Sequence, residues 1–406
     1  MTLALERTAA DEKQGAEALF KEARQRRHRR WAIGTAIAAA VVVAGVAVAF
    51  GPRLVGGPTA GPHPSGVSPP AIAASRIGAT IVYAYKNLRI VDANSGATRT
   101  LPLPTQAGGS SDLSMLIAGR SLVLNRGDTA WLYQPSLRGA PIDLGPSLRV
   151  IPGPVDGEVW IWSDPCAKEP ACTNAANEPF NGTVRLVDDS GHQIAPPAPL
   201  PINANWFPTG QSLSAGLVLA VAYGPGSDRT EIWDPKSNDV VRVLASYPFA
   251  AHGDWIATEA GSACPPRCSI RVTSLQSGKT QSISLPPGVD ASGPGAVSPD
   301  GATLALLGTL YGHPTHWPGA VIVVSLRSGT ARVLPATDVA LHSAYGPPPI
   351  SWSSNGWLFA TRIGGSAVLA WHPGARGMAV LPRVRLPNPR LAPPRAQTED
   401  PTMVAF

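Results

Sequence analysis

The sequence predicts an all-β fold, a seven-bladed β-propeller, preceded by one N-terminal transmembrane helix. Three observations predict it. Polar turns recur seven times along the chain, short β-type apolar runs flank each of them, and one long uncharged run stands near the N-terminus. Gly and Pro together number 84 of 406 residues, about a fifth, which is high for a helical protein. Apolar residues at 44% are enough for a sizeable core, while charged residues at 15% fall below the usual ~25%. Coiled coils, helix bundles and generally disordered chains fit this composition poorly.

The N-terminal elements come first. Residues 1–30 carry eight Lys+Arg against five Asp+Glu, and Ala16, Leu19, Phe20 and Ala23 share one helical face. Trp31–Phe50 then runs twenty residues without a charge, about 30 Å as a helix, the thickness of a bilayer core. Arg26, Arg27, Arg29 and Arg30 precede it and only Arg53 closely follows, so the positive-inside rule keeps the N-terminus in the cytoplasm. Everything after Phe50 is then extracytoplasmic. The competing reading is a cleaved signal peptide, because Ala47-Val48-Ala49 has the small-x-small form of a cleavage site. Residues 51–75 hold six Pro and five Gly and read as a stiff, extended linker.

Outside residues 1–30 the charges nearly balance, so the net +6 gives no basic face for nucleic acid. Four cysteines form two close pairs, Cys166 with Cys172 and Cys264 with Cys268. In an exported chain they read as two local disulfides; a zinc site would need C-x-x-C spacing, which neither pair has.

Residues 76–383 are the repetitive part. The turns are Ile90–Gly96, Tyr133–Gly139, Leu186–Gly191, Ile232–Asn238, Val272–Gly278, Val323–Gly329 and Ala370–Gly374. Their last residues stand 43, 52, 47, 40, 51 and 45 apart, the period of a propeller blade. One strand precedes each turn, such as Ile81–Tyr85 or Thr303–Leu307, a second carries its apolar residues, and a third follows, such as Thr98–Leu103. A shorter inner strand before each would make four. A sheet of this kind cannot cover both faces alone; seven arranged radially can. Residues 384–406 are proline-rich and read as an unstructured tail.

Ser298-Pro299-Asp300-Gly301 ahead of an apolar strand resembles the S-P-D-G signature of bacterial TolB-type and WD-repeat-like propellers. Ser353-Ser354-Asn355-Gly356 is a degenerate second copy, and the Gly-His and Trp-Asp marks of eukaryotic WD repeats are mostly missing. The resemblance implies the fold and does not assign a function, since propellers host scaffolds, sensors and enzymes alike.

No catalytic, cofactor or metal motif stands out. Gly278-Lys279-Thr280 lacks the upstream glycine of a phosphate loop, and no G-x-S-x-G elbow exists. His313 and His316 share a loop with Pro314 and Pro318, which argues against a helical metal pair. Trp160, Trp162, Trp233, Trp255, Trp352, Trp357 and Trp371 are expected to wedge between blades. Trp206 and Trp317 sit in proline-containing loops, and with His313 and His316 they are the candidate ligand contacts. The long loops Ser163–Asn181, Tyr223–Thr230, Ala260–Ser269 and Leu310–Gly319 are where function on a repeat scaffold collects. The reading is a membrane-anchored, extracytoplasmic binding, scaffold or sensor module for a protein, peptide or cell-wall glycan. The alternative is an exported lyase, glycan hydrolase or cyclotransferase with its site in the central channel.

Overall fold

The structure is a computed structural model of the full chain. It describes residues 77–84, 87–104, 113–134, 137, 139–163, 182–201, 206–221, 229–260, 268–291, 295–310, 319–335, 339, 350–361, 367–386 and 402–406. The basic segment, the expected membrane helix and the linker lie outside these residues. Among the described residues no helix is long and apolar enough to cross a membrane.

Seven antiparallel sheets follow one another in sequence, here blades 1 to 7. Blade 1 is ordered Thr402–Ala405, Thr80–Ala84, Leu88–Asp92, Thr98–Leu101. Blade 2 is Leu113–Ala118, Ser121–Arg126, Thr129–Tyr133, Ile142–Pro146. Blade 3 is Arg149–Pro152, Val159–Ser163, Thr183–Val187, Ala198–Pro199. Blade 4 is Trp206–Leu213, Gly216–Val221, Arg229–Asp234, Asp239–Leu244. Blade 5 is Pro248–His252, Trp255–Glu259, Ser269–Ser274, Thr280–Ser284. Blade 6 opens with two short pieces, Val289–Ala291 and Ala296–Val297, then Thr303–Leu310, Gly319–Ser325, Thr330–Val333. Blade 7 is Ile350–Trp352, Leu358–Thr361, Ala367–Trp371, Ala379–Arg385.

The first strand of each blade touches the first strands of both neighbours, and the series closes on itself from blade 7 to blade 1. These are the inner strands of a ring. The expected tail is corrected at its far end: Thr402–Ala405 is the inner strand of blade 1, paired antiparallel with Thr80–Ala84. Met403, Val404 and Ala405 are buried there, so the two ends of the ring are joined within one sheet.

The apolar pattern explains the ring. In the second strand of blade 6, Leu304 and Leu306 pack against blade 5 while Ala305 and Leu307 pack against blade 7. A period-2 strand that is apolar at every position buries both faces. Seven apolar clusters result, one at each blade junction. The tryptophans do wedge there: Trp160, Trp162 and Trp233 between blades 3 and 4, Trp352 and Trp371 between 6 and 7. Junction 4/5 is the thinnest, built on Leu213, Val218, Ile232 and Ile256. Proline has no N–H for a ladder, and each strand proline (Pro146, Pro152, Pro199, Pro208, Pro248, Pro382) lies on a first or fourth strand, an edge of its sheet.

All seven recurrent turns join third to fourth strands. Their closing residues, Gly96, Gly139, Gly191, Asn238, Gly278, Gly329 and Gly374, all have positive φ. Asn238, the one that is not glycine, also accepts a hydrogen bond from Trp233 Nε1 at 3.2 Å. In blades 1 and 3 an aspartate two residues into the turn caps it. Asp92 Oδ1 accepts from the Asn94 and Ser95 amides at 3.1 and 2.7 Å, and Asp188 Oδ1 from those of Ser190 and His192, both at 2.9 Å. Hydrogen bonds to the ionised form hold both carboxyls below their ordinary value, chiefly that of the Ser95 amide at Asp92 and that of the Ser190 hydroxyl, at 2.6 Å, at Asp188.

Ser298-Pro299-Asp300-Gly301 forms the first-to-second-strand turn of blade 6, with Ser298 Oγ donating to Asp300 Oδ1 at 2.5 Å and accepting from the Thr303 amide at 2.9 Å. Its degenerate copy does the same in blade 7, where Ser353 Oγ bonds Asn355 Oδ1 at 2.6 Å. The change from aspartate to asparagine supplies a donor: Asn355 Nδ2 reaches the Ile77 carbonyl of blade 1 at 2.7 Å.

Two glycines separate strain from collision. A Cβ at Gly96 (φ 73°) would lie 2.7 Å from Arg383 of blade 7, whereas one at Gly139 (φ 85°) would meet nothing within 4 Å. Gly139→Ala should therefore cost about 1–2 kcal/mol, the left-handed penalty alone, and Gly96→Ala clearly more, because the blade 7/1 junction must move. Chemical denaturation of the two variants checks this ordering.

Candidate functional site

Successive strands within a blade are antiparallel and every blade repeats the same order. First-to-second and third-to-fourth turns therefore gather at one end of the ring, and second-to-third and blade-to-blade connections at the other. Several hydrogen bonds between neighbouring blades tie the turn end together. The Gly119 amide donates to Asp156 Oδ1 at 3.1 Å, Ser121 Oγ to the Asp189 carbonyl at 3.0 Å, and Ser214 Oγ to the Gly253 carbonyl at 3.0 Å. These residues all belong to the turn end, which is made of short capped turns. His252 ends the inner strand of blade 5 there. Desolvation lowers its imidazole below 6.5, opposed by the Asp156 carboxylate from blade 3, two blades away.

The opposite end is different. The four long loops singled out in the sequence all connect second to third strands, in blades 3, 4, 5 and 6. The strand ends that carry them, Ser163 with Thr183, Val221 with Arg229, Glu259 with Ser269 and Leu310 with Gly319, lie at one end of the ring. Trp206, expected in a loop, instead opens the inner strand of blade 4 at the same end. Its side chain lies outside the described residues, as do His313, His316 and Trp317. Cys166, Cys172 and Cys264 lie outside them too. Cys268 is buried just before the third strand of blade 5 and is disulfide-bonded. Topology thus gathers the attachment points of the candidate segments at one end.

The described residues bordering these loops add chemistry. Gly182 follows the blade 3 loop, and a Cβ on it would collide with the Trp162 indole. That close approach accounts for the glycine in Asn181-Gly182-Thr183. In blade 4 the third strand opens with Arg229 and Glu231 on one face, shared with Trp233 and turned toward blade 3. They form an ion pair in which the Glu231 side chain is 3% exposed and that of Arg229 40%. Burial pushes the Glu231 carboxyl up, and Arg229 opposes that shift by charge and hydrogen bond. The signal legible in the sequence was only two opposite charges, Arg229 and Glu231, at i and i+2 of one short strand. No group of three metal-ligating side chains occurs among the described residues.

This chain matches no protein-family model and no curated protein. It is similar to the β-propeller domain of the trilobed protease from Pyrococcus furiosus at 12% identity, over 64% of this chain and 81% of that one, with a TM-score of 0.43. Other similar structures are the Pan2 WD40 domain of Neurospora crassa and a protein described as a TolB from Agrobacterium tumefaciens. The first shares 10% identity over 73% of this chain and 87% of its own, TM-score 0.39; the second 12% over 63% and 87%, TM-score 0.36. WD-repeat and TolB structures thus stand among its structural neighbours. Likeness of this degree adds nothing to the seven sheets already described and says nothing of ligand or activity.

Arg229→Met tests the buried pair. With its partner gone, Glu231 is an uncompensated buried carboxylate above its own raised pKa and a neutral acid below it. The variant should lose about 1–3 kcal/mol at neutral pH, with the loss shrinking as pH falls toward 4.5, the ordinary value for the group. Denaturation midpoints between pH 4 and 8 measure the slope; a loss independent of pH contradicts the assignment.

Proposed function

We propose that the chain is a binding module: a propeller held at the cell membrane by residues 31–50, with the basic segment 1–30 in the cytoplasm and the ring outside. Its loop end takes a protein, peptide or cell-wall glycan. One observation carries this reading. The long connections, with Trp317, His313, His316 and the cysteine pairs among them, spring from a single end of the ring, opposite an end made of short, self-capped turns. A scaffold whose insertions share one end offers a composite surface that no single blade could build. Indole rings suit such a surface, since they bring large contact area at small entropy cost. The disulfides Cys166–Cys172 and Cys264–Cys268 would brace two of these loops by closing small rings, each contributing on the order of 2 kcal/mol.

Photo-crosslinkers placed at Trp206 and Trp317, activated on intact cells and followed by mass spectrometry, test the reading. Both positions should capture the same partner, a crosslinker at Ser328 on the turn end should not, and Trp206→Ala with Trp317→Ala should reduce capture at least fivefold in a chain that still folds. Equal capture from both ends contradicts the proposal. Turnover of a captured peptide or glycan favours the enzyme alternative. Alkaline phosphatase fused after Phe406 should be active; activity only of a cytosolic reporter contradicts the topology.

A further inference from the structure

The outer strand of blade 4, Asp239–Leu244, is unlike the outer strands of the other blades. Val240, Val241 and Val243 are 39, 50 and 53% exposed, three of the six large apolar side chains on the described surface that are open to this degree. Their exposure has a local cause: the neighbouring blade 3 ends in a two-residue outer strand, Ala198–Pro199, with little to lay over them. As the last strand of its sheet, Asp239–Leu244 also turns one edge of backbone N–H and C=O groups outward.

A bulge decides which side chains share a face. Trp233 lies opposite Val240 and Ile232 opposite Arg242, so Val241 is the extra residue. Beyond it the alternation is reset, and Arg242 returns to the face of Asp239. Asp239 itself lies opposite Asp234 in its own sheet, two like charges across one ladder rung, an arrangement that favours an added cation. The strand therefore reads, on one face, as a negative end and a positive end three residues apart.

We propose that this edge pairs antiparallel with the same edge of a second copy of the chain. Around a two-fold axis between Val240 and Val241, Asp239 of each copy stands opposite Arg242 of the other. Both ion pairs form together, the valines of the two strands meet at the axis, and the outward backbone groups find partners. Self-complementarity is the argument for a second copy over an unrelated strand. A C2 contact requires that a patch match itself, and an Asp–Val–Val–Arg segment does so when reversed. The bulge, usually a device that discourages edge pairing, here brings the two charges to one face.

Charge reversal tests the pairing in the full chain, solubilised in detergent, with mass read by light scattering behind size exclusion. The wild type should be a dimer at micromolar concentration. Arg242→Asp places two aspartates against two aspartates and should raise the dimer dissociation constant at least tenfold; Asp239→Arg should do the same with the opposite sign. The double variant Asp239→Arg, Arg242→Asp restores both pairs in exchanged positions and should return the dimer. Circular dichroism confirms that each variant is folded. A monomeric wild type, a dimer indifferent to Arg242→Asp, or a folded double variant that stays monomeric overturns the proposal. So does a wild-type monomer that captures an extended peptide on this edge.

Discussion

The constraint on which the structure depends is that its central strands are apolar on both faces. Ile81 and Tyr83 point to blade 7 while Val82 and Ala84, between them in sequence, point to blade 2. A lone antiparallel sheet with such strands would leave both faces in water, and a single neighbour would cover only one. Stacking against two neighbours covers both, and only a closed series gives every blade two. The cost of stopping short is large: one exposed face would return several Val- and Leu-sized side chains to water, at about 1.5–3 kcal/mol each.

Closure then rests on the junction between blades 7 and 1, where the chain supplies its last strand to its first sheet. The Ala405 amide donates to Ser351 Oγ at 3.1 Å, Tyr83 Oη to the Arg385 carbonyl at 3.1 Å, and the Phe406 amide to the Thr80 carbonyl at 2.9 Å. Inner strands elsewhere are tied by the same device. Ser212 Oγ bonds the Pro152 carbonyl, Gln211 Nε2 the Phe249 carbonyl at 3.0 Å, and Trp352 Nε1 the Ala296 carbonyl at 3.0 Å. Neighbouring side chains thereby satisfy edge backbone groups that each inner strand would otherwise leave open. A rigid ring closed in this way can carry long insertions at one end without losing its shape.

Much of this was legible because turns and strands obey local rules. Each of the seven recurrent motifs ends on a positive-φ residue, a demand that glycine and asparagine advertise in sequence. The continuous apolar runs advertise strands covered on both faces. The inner strand Thr402–Ala405 was not legible, since four residues behind a proline-rich segment carry no periodicity, and its partner Thr80–Ala84 lies more than three hundred positions away. The Arg229–Glu231 pair and the valine edge were hidden for a related reason. Their meaning comes from what the adjacent blade does or does not cover, and a lone strand does not show that. For the loop end, sequence gave the residues and topology gave their common side.

The most direct test of the closed ring is native-state hydrogen exchange on a chain truncated before Thr402. If the last strand closes the ring, protection should fall in Thr80–Ala84 and also in Ile350–Trp352 and Leu113–Ala118, the inner strands on either side, in one cooperative step. Protection unchanged from the full chain, or lost only at the amides that paired directly with the missing strand, would contradict it.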